Sequence, residues 1–186
     1  MMQRSIVAAA GALSLAACGG SSASQANNAQ ANMSGDAMPA HAAAANVRAL
    51  TKTVSGAEAV RIMHERHEGM EATGKAMKAI HDQLQESSPD VAVIRANAEK
   101  IAGNAQRAFD WFPRGTGPEA GKTGAKPEIW QNPQDFAAKL GAFHSAASAF
   151  EAAAVTGSVN AVRPRLGPLG DACKACHDKY RSKMHH

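Results

Sequence analysis

Cys173, Cys176 and His177 form a Cys-x-x-Cys-His run near the end of a 186-residue chain that has three cysteines in all. This run suits covalent attachment of a c-type haem. Residues three apart on a helix share one face, so the two thiols can form thioethers along the vinyl edge of the ring. His177 stands a turn beyond Cys173 and offers its imidazole to the iron from one side. Two other chemistries use paired cysteines. A thioredoxin-like redox pair expects a βαβ context, and no strand pattern surrounds this run. A structural zinc site normally takes four ligands, often from two such pairs, whereas the one remaining cysteine, Cys18, is far upstream.

Composition narrows the setting. Aromatic residues make up 4% and alanine is abundant along the chain, which favours helices over sheets. The net charge of +4 is spread over interleaved acids and bases, so no basic stripe exists and nucleic acid is not an expected partner. Arg4 followed by the apolar run Ile6 to Ala17 reads as an export signal too short to span a bilayer. Its end, Leu15-Ala16-Ala17-Cys18, resembles a bacterial lipobox. That resemblance implies a signal peptide over residues 1–17 and a lipidated Cys18. The alternative is ordinary cleavage, leaving a soluble periplasmic protein with a free thiol. Several acyl chains suffice for stable membrane anchoring, and Gly19 after the cysteine points to the outer membrane by resemblance to sorting signals. Gly19 to Lys52 is low in complexity, so residues 18–52 are expected to be a flexible tether reaching on the order of 30 Å, with Ala42 to Ala45 helical at most transiently.

Residues 53–186 carry four helical signatures. Ser55 to Glu58 reads as a capping box, opening a helix to about Glu86 with Ile62 or Met63, Arg66, Met70, Gly74, Met77, Ile80 and Leu84 on one stripe. Ser88-Pro89-Asp90 signals a second start, with Ser88 as N-cap and proline at N1. Its stripe runs from Val91 through Ile94, Ala98, Ile101, Ala105 and Phe109 to Phe112, and Pro113 stops it. Residues 114–131 form a long loop. Asn132-Pro133 opens a third helix whose Phe136, Leu140, Phe143, Ala147, Phe150 and Ala154 make a narrow seam. Gly157 ends it. Ser158 starts a fourth, with Val162, Leu166, Leu169, Cys173, Cys176, Tyr180 and Met184 on one seam. Pro164 and Pro168 should kink that helix or make its start irregular. Four such helices predict an all-α, antiparallel four-helix bundle, with one covalently bound haem c near one end.

The combination resembles the class II cytochromes c, the cytochrome c prime family, over about residues 55–184. The C-terminal Cys173 to His177 with Tyr180-Arg181, the first-helix Arg66-x-x-x-Met70-x-x-x-Gly74-x-x-Met77-Lys78, and the loop segments Gly115 to Pro118 and Ala125 to Trp130 carry the resemblance. His67 departs from the glutamine common after the first-helix arginine. The paired prolines, lipobox and tether are further departures. The resemblance places Met70 above the distal face of the haem, opposite His177. Relatives divide at this point: high-spin members leave the sixth position of the iron open, while low-spin members fill it with a methionine.

Met70 is therefore the expected distal ligand, with an ordinary packing methionine as the alternative. His64, His67, His81 and His144 are further candidates, although a lone helical histidine is usually solvated. Arg66, His67 and Arg181 are candidates for propionate or haem-edge contacts, and a solvated surface arginine is the plainer reading of both Arg66 and Arg181. No acid-base constellation accompanies the site, so an enzyme is not expected. Two functions follow. The first is a membrane-tethered periplasmic cytochrome passing single electrons between redox partners through His177/Met70 low-spin iron. The second is a high-spin, five-coordinate protein binding NO or CO at an open distal site. Relatives pair through their first two helices, which implies a homodimer. If Cys18 is lipidated, mass spectrometry of the native protein shows an acylated N-terminal Cys18, and Cys18→Ser moves the protein to the soluble fraction. An unmodified Cys18 in a wholly soluble native protein contradicts the anchor.

Overall fold

The computed structural model describes residues 40–183, so the expected signal segment, Cys18, the earlier part of the expected tether and Met184 lie outside the described residues. The elements are α1 (Ala40–Thr51), α2 (Gly56–Gln85), α3 (Val91–Arg107) with a 3-10 turn Ala108–Asp110, the single turn α4 (Glu128–Gln131), α5 (Pro133–Val155) and α6 (Val159–Tyr180). The four long helices form a four-helix bundle. Backbones approach closely between α2 and α3, α3 and α5, and α5 and α6. The α2 and α6 backbones make no comparable approach.

Two apolar clusters occupy opposite ends. One joins Ile80, Leu84, Ile94, Ile101, Phe150 and Leu169. The other joins Leu50, Trp111, Phe112, Ile129, Phe136 and Tyr180, with Met70 and Cys176 packed against it. The α5 seam is buried throughout, from Phe136 to Ala154. Its four-three spacing keeps one stripe facing the bundle axis along the whole helix. On α2 the buried stripe is Ile62, Arg66, Gly69, Thr73, Ala76, Ile80 and Leu84. The expected Met70, Gly74 and Met77 lie beside it and are only half-buried or exposed. One helix thus presents two adjacent faces, a packed one and one that lines a cavity.

Several sequence expectations need correction. The tether does not extend to Lys52, because Ala40–Thr51 is helical and Leu50 is 1% exposed against the second cluster. Alanine-rich composition hid two apolar anchors, Val47 and Leu50, that sit three apart on one helical face. Ser55 precedes α2 but makes no side-chain cap, so the capping box does not form. Asp90 rather than Ser88 caps α3, its carboxylate accepting from the Ala92 and Val93 amides at 2.8 and 3.3 Å. That choice also puts a negative charge at the helix's positive end. The long loop contains a helical turn whose Ile129 is buried. The fourth helix starts regularly, with Ser158 Oγ accepting from the Ala161 amide. Pro164 and Pro168 both lie inside α6 and are exposed. Being four apart, they share one exposed stripe of the helix, so the backbone bonds they remove lie on its solvent side.

If α1 belongs to the folded unit, Leu50→Ala costs about 2–5 kcal/mol in a denaturant titration, as expected for a buried leucine. Val60→Ala, at a position 57% exposed, serves as the control with little effect. Equal midpoints for both variants would separate α1 from the cooperative fold.

Candidate cofactor site

Between α2 and α6 lies a cavity of about 1130 Å³. Its α6 wall carries Cys173, Cys176 and His177, and its α2 wall carries Arg66, Met70, Gly74 and Met77. From α5, Leu140 and Phe143 line the side between them, and residues 120–125 of the loop close another edge. Three-residue spacing places both thiols on the same face of α6, each half-buried. Burial pushes the Cys173 thiol up and the Cys176 thiol up to about 11, so both are held protonated at neutral pH. His177 is held below its ordinary range by burial and by the neighbouring Arg181 charge. A neutral imidazole is the form that can bind a metal. Two thiols and a neutral imidazole on one wall of a large apolar cavity fit a haem attached through that wall.

The end of α6 is fixed by its neighbours. The Lys126 amide donates to the Tyr180 carbonyl at 3.0 Å, and the Ser182 amide donates to the Gly124 carbonyl at 2.9 Å. Lys126 Nζ reaches the Lys179 carbonyl. The Tyr180 hydroxyl donates to Asp135 at the start of α5, which Lys179 also pairs at 3.0 Å. That bond raises the Tyr180 pKa further, after the larger effect of desolvation, and together with Lys179 it holds Asp135 below the usual carboxylate range. The Tyr180 ring stacks edge-on against Phe136, and Phe136 against Phe112. His177, three residues before Tyr180, therefore sits on a braced segment.

Arg66 has a role that spacing alone did not indicate. Its Nη1 donates to the Trp111 carbonyl (3.1 Å) and Thr116 Oγ1 (3.2 Å). Its Nη2 donates to the Thr116 carbonyl and Thr123 Oγ1, both at 2.9 Å. The guanidinium also lies 5.0 Å from the Phe112 ring centroid. Both Nη groups thus bond to the stretch from Trp111 to Thr123 rather than lying free at the surface. Desolvation lowers the Arg66 pKa to about 10, partly offset by Glu119, so it remains charged at neutral pH. Four bonds compensate a cation whose unpaired burial would cost several kcal/mol.

The other candidates divide. His64 and His67 line the rim of the cavity and are exposed, as is Arg181. His81 is exposed on α2 outside the cavity, and His144 packs on Phe109 with ring centroids 5.9 Å apart. Gly74 opens on to the cavity, with nothing within 4 Å of a built Cβ. The glycine of close approach is Gly69, where a Cβ would stand 2.2 Å from the Trp111 ring. Asn104 and Thr73, which bond around Gly69, also escaped the sequence reading. Their signal was faint: a polar residue within each apolar stripe, with no motif to join them.

The family described as Cytochrome C' matches residues 61–181. A cytochrome c' from Allochromatium vinosum is 36% identical over 121 residues, covering 63% of this chain and 78% of that protein. The crystal structure of cytochrome c' from Thermochromatium tepidum is similar at a TM-score of 0.62 and 34% identity, covering 66% of this chain and 95% of that one. A nitric oxide complex of a mutant cytochrome c prime from Alcaligenes xylosoxidans is similar at a TM-score of 0.59 and 28% identity, covering 67% and 97%. If the α6 thiols carry the cofactor, the wild-type protein keeps its haem through acidified acetone and a Cys173→Ala/Cys176→Ala protein releases it. Retention by the double variant would exclude attachment at these residues.

Proposed function

Since the chain belongs to the cytochrome c' family, we propose that it is a haem protein that takes small uncharged ligands, NO and CO, on the side of the ring opposite His177. It carries one covalent haem c, and Cys173 and Cys176 are the residues that hold it. When bound, the haem supplies an iron that can take a diatomic ligand or exchange one electron. His177 contributes the proximal imidazole, kept neutral by burial. Its orientation follows from the bonds that pin Lys126, Tyr180 and Asp135 around the end of α6.

The observation that carries this reading is the character of the α2 wall. Met70, Gly74 and Met77 present thioethers and a bare backbone to the cavity, while the Arg66 guanidinium is turned to the loop. Thioethers and bare backbone make the burial of charge costly at that part of the wall, whereas an uncharged diatomic meets no such penalty. The Alcaligenes xylosoxidans relative captured with nitric oxide supports the same assignment. In this reading Met70 is the side chain that an incoming ligand meets.

A second reading, the electron carrier, is favoured by one particular of Met70. It is a half-buried thioether on the cavity wall, and the next turn at Gly74 has no side chain to hold α2 away. Ligation by a thioether would favour reduced iron and raise the potential. Under either reading the protein is exported, anchored through Cys18, and works in the periplasm, where the anchor limits it to partners near the membrane.

Absorption spectra of the oxidised and reduced protein, with and without CO, separate the two. Ligand binding predicts five-coordinate, high-spin reduced iron that takes CO readily. A low-spin reduced spectrum indifferent to CO would overturn it. Met70→Ala would then convert that protein to a high-spin, CO-binding form of lower potential if the sulfur is the sixth ligand.

A further inference from the structure

The turn of α2 that carries Met70 is held from behind. Gly69 and Thr73 flank Met70 on the packed side of the helix, and both are buried. Asn104, on α3 and 3% exposed, donates from Nδ2 to the Gly69 carbonyl and to Thr73 Oγ1, both at 3.0 Å. Thr73 Oγ1 in turn donates to the Gly69 carbonyl at 2.8 Å. Arg107 Nη2 donates to Asn104 Oδ1 and fixes which way the amide faces. The Trp111 ring lies against the same turn, close enough that no residue larger than glycine fits at position 69. A buried polar network with every member bonded defines one arrangement, because breaking any bond strands a buried polar group. Nothing comparable grips Met70 itself, which is half-buried on the adjacent, cavity-facing side.

We propose that Asn104 is a positioning residue for the distal face. Through Gly69 and Thr73 it sets how far Met70 stands into the cavity, and so how strongly the Met70 side chain competes with an incoming ligand. The inference rests on the reading that the α2 wall faces the haem opposite His177. It differs from that reading in placing the control on α3, outside the cavity. Loosening the network at Asn104, which does not line the cavity, lets the 69–73 turn move away and leaves the lining side chains as they are, whereas Thr73 touches the edge of the cavity itself.

The test is CO binding to the reduced holoprotein by stopped flow, together with hydrogen exchange of the Gly69–Thr73 amides. Asn104→Ala should speed CO association about fivefold, within the range of coupling between contacting residues, and should raise exchange in that segment. Thr73→Val removes the hydroxyl that Asn104 bonds while keeping the side-chain shape, and should act in the same direction. It carries the test if Asn104→Ala does not accumulate with haem. In a Met70→Ala background neither substitution should change the CO rate. An equal fold-change in both backgrounds would show that the network acts on general packing, and no change in the wild-type background would remove its role altogether. Met70→Ala that leaves both spectrum and CO rate untouched overturns the α2-wall reading and the proposal with it. A Met70 effect without an Asn104 effect overturns the proposal alone.

Discussion

A close-packed bundle must keep α2 and α6 apart, and most of the specific bonding in this protein follows from that constraint. Apolar helices left to themselves close up until their side chains interdigitate at crystal-like density. Here α2, α3, α5 and α6 meet in sequence, while a cavity of about 1130 Å³ separates the first from the last. Each wall therefore has to be supported from its far side. For α6, the support is the 124–126 stretch of loop and the Tyr180–Asp135 contact. For α2, it is Arg66 in the loop and Asn104 on α3.

Hydrogen bonds suit this task better than further apolar packing. Apolar contacts are non-directional and would tolerate a slide of one helix along another. A buried guanidinium with four partners, or an amide bonded to both a carbonyl and a hydroxyl, admits one register only. The cost falls on the loop. Its backbone must present the Trp111 and Thr116 carbonyls to Arg66, and Gly115 must adopt a φ of +89° where the Val54 carbonyl leaves no room for a Cβ. The same stretch is laced to the segment after α1, through Val54 to Arg114 at 2.9 Å and Arg114 to Lys52 at 2.7 Å. By this route α1 becomes part of the brace around the site.

Burial then sets the chemistry of each wall. On α6 it raises the pKa of the thiols and lowers that of the imidazole before the haem is attached, while on α2 it presents thioethers and a bare glycine backbone. An uneven cavity of this kind distinguishes the two sides of a flat cofactor: one side is anchored, and the other is shaped by a helix that makes no covalent bond.

The sequence by itself determined the attachment run, the four helices and the α5 seam, because these are local. Cys173, Cys176 and His177 are joined by spacing alone, and Phe136 to Ala154 repeat at a helical period that no neighbour has to supply. Asn132-Pro133 and Gly157 mark the ends of α5 by backbone restriction of the same local kind. Tertiary structure decided what lies beyond one helix. Arg66 looked like a cavity or surface residue on its stripe, yet its partners are 45 to 57 positions away. Asn104 and Gly69 carry no pattern until α3 is set against α2. Leu50 reads as a chance apolar residue in an alanine-rich segment until α5 and Trp111 offer it a buried place. Local rules act through one chain's own turns, whereas hydrogen-bond partners and burial depend on which surfaces meet.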